Sequence, residues 1–253
     1  LRAAYQYFAF LGGVLNKRSV LVIAAHPDDE VLGCGGTIAR HAQAGDEVHV
    51  VILAEGLTSR GSSRTDRHCY DDSLSLLAQS AEHASRVLGV ASLNLYHFPD
   101  NRMDSIDRLE VVKMVETVVS QRQPEIVYTH HAGDVNIDHR VVHDAVVTAC
   151  RPIPGRGIKT LLFFEIASST EWQAPGLAPA FSPNWFIDIS AALEKKMEAL
   201  HAYHSEMRAW PHSRSIRAIE HLARWRGASA GMEAAEAFML GRNLITAPHS
   251  VGN

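Results

Sequence analysis

Residues 19–25 read Ser-Val-Leu-Val-Ile-Ala-Ala and end directly in His26-Pro27-Asp28-Asp29-Glu30. A continuous apolar run rich in Val and Ile reads as a strand buried on both faces, as in parallel sheets. Parallel strands need crossover connections, and this chain supplies them in alternation. Strand-like runs at 19–25, 47–53, 92–98 and 126–129 precede helical patterns at 33–44, 70–89, 106–121 and 138–150. Gly45 and Gly89 close two of those helices, and Pro124 follows the third. Shorter strands at 161–166 and 185–189, then helical patterns at 191–205 and 213–228, complete the reading. The expected class is α/β, a mostly parallel sheet with helices on both faces. Ligands of such sheets bind beyond the carboxyl ends of the strands.

The first polar cluster therefore stands where a ligand is expected. Carboxylates crowded at the end of a buried strand repel one another and lose hydration. A divalent cation removes both penalties. Histidine offers a borderline nitrogen and aspartate a hard oxygen, a mixture that suits zinc. A bland reading exists for any one of these residues, an Asx turn capping the next helix. Glu30 reads as an acid favouring that helix N-terminus. Gly33-Cys34-Gly35-Gly36 lacks the order of a phosphate-binding loop, so close packing of helix on sheet is the reading adopted.

A second cluster, Asp134-Val135-Asn136-Ile137-Asp138-His139-Arg140-Val141-Val142-His143, follows the fourth strand. His139 and His143 share one helix face by their spacing. One further ligand completes a three-ligand site with His26 and Asp29. His139 is nearer the strand end and is preferred, with His143 in reserve. Asp138 caps the helix or orients a histidine.

Bulk properties narrow the class. The chain has 253 residues, which favours one large domain, taken as 19–253, with 1–18 a leader of no assigned role. A net charge of -4 carries no footprint of nucleic acid or anionic membrane. No apolar run has transmembrane length. The three cysteines, Cys34, Cys69 and Cys150, include no C-x-x-C pair, which suits a reducing cytoplasm and a cysteine-free metal site. The apolar late helices leave both a monomer and a homo-oligomer open.

Taken together, strand–HPDDE–LGCGGT and strand–HH–x-G-D-x-N-x-D-H-R-x-x-H resemble the PIG-L/LmbE-like zinc deacetylases. Ala54–Arg60, Pro99–Asp104, Glu165–Trp172 and Ala235–Phe238 extend the resemblance, which covers roughly 18–245. It implies a Rossmann-like fold and hydrolysis of an N-acetyl group from an N-acetylglucosamine-type sugar or its conjugate. It implies His26, Asp29 and His139 as zinc ligands and Asp28 as general base. Many members carry a histidine, assigned to transition-state stabilisation, where this chain has Asn136. Asn136, His130, His131 and Tyr203 are therefore the candidate donors. Arg60, Arg64, Asp100 and Asn101 are candidate substrate contacts. Two other function classes stay open from the residues alone. One is a metal-dependent phosphoesterase, and the other a sugar- or nucleotide-binding module with a structural metal.

Overall fold

The computed structural model describes residues 17–60, 70–155 and 157–245. Arg64 and most of the 1–18 stretch lie outside the described residues. Seven strands form one sheet: β1 Ser19–Ala24, β2 Glu47–Ala54, β3 Ser92–Phe98, β4 Ile126–His130, β5 Thr160–Phe164, β6 Trp185–Asp188 and β7 Ala235–Asn243. Their order is β3-β2-β1-β4-β5-β7-β6. The first five are parallel, while β7 runs antiparallel to both β5 and β6. Six α-helices among the described residues accompany them: α1 Asp29–Gln43, α2 Asp71–Leu88, α3 Arg108–Arg122, α4 Ile137–Ala149, α5 Leu193–Ala202 and α6 Ile216–Ala228.

β1 shows why the sheet is covered twice. Val20, Val22 and Ala24 point into a core built with α1, α2, α5 and α6. Leu21 and Ile23 alternate with them into a second core built with α3 and α4. All five are fully buried, which the unbroken apolar run required. The chain leaves β1 toward β2 on one side and reaches β4 on the other. The crevice beyond β1 and β4 is thus the switch point of strand order.

Helix α1 begins at Asp29, four residues before the position read from the sequence. Its Gly33–Gly36 segment stays within the helix but bends it, with non-helical angles at Cys34. The break is chemically satisfied. Glu236 of β7 accepts from the Gly36 and Thr37 N–H groups at 2.9 and 2.7 Å. Lys196 of α5 donates to the Leu32 carbonyl at 2.9 Å and pairs with Glu236. Helix interruptions leave orphan donors and acceptors, and these two buried side chains supply the partners. The glycines allow close approach, as the sequence implied. A Cβ at Gly33 would lie 2.5 Å from the Phe164 ring.

β7 was not read from the sequence. Its Ala-Glu-Ala-Phe start is weak in β-branched residues and places a carboxylate inside the sheet. The Lys196 pairing across the fold and the two N–H groups of α1 make that position habitable. The late helices are also shorter than their patterns, ending in turns at Tyr203 and starting after Ser215.

Candidate metal and catalytic site

Asp28 is the tightest point in the turn after β1. Its φ is 108°, a left-handed conformation that costs a non-glycine residue about 1–3 kcal/mol. The turn folds the Asp29 carboxylate back, so that Oδ2 accepts from the His26 N–H at 2.9 Å. Asp28 N–H donates to Glu30 Oε2 at 3.1 Å, and the Tyr203 hydroxyl donates to Glu30 Oε1 at 2.6 Å. Glu30 is therefore a brace for the turn. Burial, its largest influence, pushes its pKa up to about 7 against the hydrogen bond from Tyr203.

His26, Asp29 and His139 converge, with one potential ligand atom from each within 4.8 Å of the others. His26 Nδ1 and His139 Nε2 each lie 3.2 Å from Asp29 Oδ2. Both ring nitrogens of His139 are buried without an aligned hydrogen bond, and Nε2 is the one that faces Asp29. A lone pair on Nε2 directed at that point fits a metal ion.

The outer carboxylates settle which ring nitrogens face inward. His26 Nε2 lies 3.0 Å from Asp138 Oδ2 and 3.2 Å from Asp100 Oδ1. A proton held there leaves Nδ1 unprotonated on the side that faces Asp29. His139 Nδ1 lies 3.1 Å from Asp134 Oδ1, which leaves Nε2 unprotonated likewise. Such outer partners set the tautomer of metal-binding histidines. Asp138 is itself fixed by the N–H groups of Asn101 and Met103, at 2.6 and 2.9 Å. His26, Asp100 and Asp138 also form a convergent group, in which both Asp138 oxygens already accept from backbone N–H groups.

The charge balance points the same way. Burial alone would lower His139, yet Asp29 and Asp134 outweigh it and raise it to about 9. Burial would raise Asp29, yet His139 and His26 hold it well below the usual carboxylate range. A dication supplies the same positive charge, and its binding releases those imidazole protons.

Asp28 stands apart from the convergent group. Burial, its largest influence, raises its pKa well above the usual range, with Arg214 opposing and Asp29 adding to the rise. Its Oδ2 lies 3.1 Å from Arg214 Nη1. Arg214 was not singled out from the sequence. It enters from the turn before α6, and neither its spacing nor its neighbours marked it.

These groups line a cavity of about 150 Å3 together with Gly56, Ser59, Asn101, Asn136 and Glu206. Asn136 is present but engaged. It caps α4 by accepting from Asp138 N–H at 2.8 Å and donates to Asn101 Oδ1 at 3.0 Å. Asp100 and Asn101 also line the cavity, and Ser59 donates to Asp100 through both its N–H and its hydroxyl. The Arg60 backbone closes a 3-10 turn at Thr58–Arg60.

The other histidines of the two β4-end motifs, His130, His131 and His143, have partners of their own. His130 is fully buried, accepts from Ala25 N–H at 2.8 Å and stacks on His139 with ring centres 4.0 Å apart. Burial and the charge on His139 hold it neutral. His131 Nε2 faces the Pro179 carbonyl at 2.8 Å. His143 Nδ1 donates to the His130 carbonyl at 2.8 Å, and its ring packs on Phe163. The reserve ligand is thus already partnered. Tyr203 is fully buried and its hydroxyl is committed to Glu30.

Residues 21–150 match the family model described as PIG-L: GlcNAc-PI de-N-acetylase. The chain belongs to this family. An uncharacterized deacetylase of Escherichia coli strain K12, YaiS, is 30% identical over 192 residues, covering 74% of this chain and 95% of the relative. A 4-oxalmesaconate hydratase of Pseudomonas putida is 28% identical over 210 residues, covering 77% and 76%. The solved structure of N,N'-diacetylchitobiose deacetylase from Pyrococcus horikoshii superposes with a TM-score of 0.70 at 19% identity, covering 98% of this chain and 96% of that one. That likeness concerns the fold. With the family match, the chain is an N-deacetylase whose site can hold a metal. No helix among the described residues is long and apolar enough to cross a membrane.

Proposed function

We propose that this chain is a zinc-dependent hydrolase that removes the acetyl group from an N-acetylglucosamine-type sugar or sugar conjugate, acting as a single domain over 19–253 in a reducing cytoplasm. The supporting observation is the convergence of His26, Asp29 and His139 beside a buried, non-converging Asp28. Three protein ligands with an open position are the pattern of a catalytic zinc site. Nitrogen and carboxylate donors without cysteine suit zinc better than magnesium, which disfavours the phosphoesterase class. The family description supplies the sugar class.

Zinc, when bound, supplies Lewis-acid activation of water and of the acyl oxygen. Asp28 accepts the proton of the attacking water as the new C–O bond forms. Its Oδ2 is held by Arg214, so Oδ1 is the atom positioned to take that proton. Asp28 then returns the proton to the amide nitrogen as the C–N bond breaks, giving acetate and a free amine. Asp134, Asp100 and Asp138 keep the two histidines oriented throughout. Asp100 and Asn101 line the cavity and are the candidate contacts for sugar hydroxyls.

The test is acetate release from N-acetylglucosamine and N,N'-diacetylchitobiose, with and without a chelator. Activity that survives complete metal removal would overturn the reading. A second reading, hydration of an unsaturated acid, is favoured by the Pseudomonas putida relative. Consumption of such an acid, without acetate release from any acetamide, would favour it.

A further inference from the structure

Amide hydrolysis places negative charge on the acyl oxygen, and a donor must meet it. The neutral side-chain donors of the cavity are each held by a protein acceptor, and the cavity offers one cationic donor besides them. Asn136 Nδ2 donates to Asn101, Asn101 Nδ2 donates to Asp100 at 2.9 Å, and the Ser59 hydroxyl donates to Asp100 at 2.6 Å. Arg214 is the single arginine or lysine among the described residues that line it.

The guanidinium is fixed at two corners. Nε donates to Ser168 Oγ at 2.8 Å and Nη1 to Asp28 Oδ2 at 3.1 Å. The Arg214 N–H donates to His212 Nδ1 at 3.0 Å, which fixes the backbone as well. Ser168 is held in turn, its N–H donating to Glu171 Oε1 at 2.7 Å. Nη2 has no protein acceptor among the described residues. A planar fork held by two bonds presents its third corner in a set direction.

We propose that Arg214 is a catalytic residue with two tasks: Nη1 orients the Asp28 carboxylate, and Nη2 donates to the oxyanion of the acyl group. The inference rests on the deacetylase reading above. As water oxygen bonds to the acyl carbon, the carbonyl π pair moves to oxygen, and that oxygen accepts a hydrogen bond from Nη2. Collapse restores the C=O bond, expels the amine nitrogen with the proton from Asp28, and releases Nη2. The charge on the guanidinium is conserved throughout.

The experiment compares wild type, R214A, R214Q and R214K as metal-loaded proteins. Removing one oxyanion donor costs on the order of 10²–10³-fold in kcat. R214A and R214Q are expected to lose that much with KM nearly unchanged and metal content retained. Free guanidinium is expected to restore part of the R214A rate, and R214K to stand between wild type and R214A. Methylphosphonate, a tetrahedral oxyanion, is the second probe and needs no turnover. Its binding by calorimetry is expected to weaken at least tenfold in R214A and R214Q. Unchanged kcat and unchanged methylphosphonate affinity in soluble R214Q would overturn the proposal. Wild type that binds methylphosphonate through Arg214 yet releases no acetate would instead overturn the deacetylase reading alone.

Discussion

Asp134 Oδ1 lies 3.1 Å from His139 Nδ1, and the same carboxylate accepts from the hydroxyls of Ser169 and Thr170. One buried side chain therefore orients a candidate ligand and ties the β5–β6 connection to the site. Asp134→Asn keeps the size but offers an amide to four donors, the Asn136 N–H among them. Loss of an outer partner typically costs about 10–100-fold in metal affinity. Zinc titration of the apoprotein against a competing chelator is expected to show that loss. An unchanged zinc affinity would mean that helix α4 alone fixes the His139 ring.

Asp28 and His139 are expected to separate by phenotype. Asp28→Asn removes a base while leaving the three convergent groups intact, so zinc content is retained. Turnover should fall by about 10²–10⁴-fold, the usual contribution of a general base. His139→Ala should lose zinc together with activity. Metal analysis of both purified variants decides the point, and full occupancy in His139→Ala would remove it from the ligand set.

Gly36 tests the packing of α1 on the sheet. A Cβ there would lie 2.7–2.9 Å from three side-chain atoms of Ile189. Overpacking of this kind costs about 1–3 kcal/mol. Gly36→Ala is expected to lower the melting temperature, and Ile189→Val in the same chain should recover part of it by removing one contacting methyl. Equal melting of Gly36→Ala and wild type would show that Ile189 yields freely.

The two halves of the site were legible in the sequence to different degrees. His26, Asp29 and His139 follow strands β1 and β4, whose apolar runs declare themselves, so their convergence follows from strand order. Arg214 reaches Asp28 across 186 residues of sequence, from an irregular turn. No local pattern encodes that contact. The same holds for Glu236, which mends the bend in α1 from a strand 200 residues away. His130 and His131 stand at the end of β4 and Tyr203 at the end of α5, so residue type alone marks them as donors. Their partners are backbone and Glu30, which only the folded arrangement reveals.

Asp46 supplies the prediction for pH. Its carboxylate accepts from Arg18 Nη2 at 2.6 Å and meets His41 Nδ1 at 2.7 Å, joining the end of α1 to the start of β1. Burial pushes the group upward, but the bonds from Arg18 and His41 outweigh it and hold its pKa below the ordinary 3.8. A folded-state pKa below the unfolded value means that the unfolded chain binds the proton more readily. The stabilisation is therefore complete above the ordinary value and is lost as pH falls through the depressed one. Asp46→Asn should melt below wild type at pH 6 to 7, about two units or more clear of carboxylate titration. The gap between the two melting temperatures should then close as pH drops below 3.8. A gap of constant size down to the acid limit would show that Asp46 contributes through hydrogen bonding alone, without the charge.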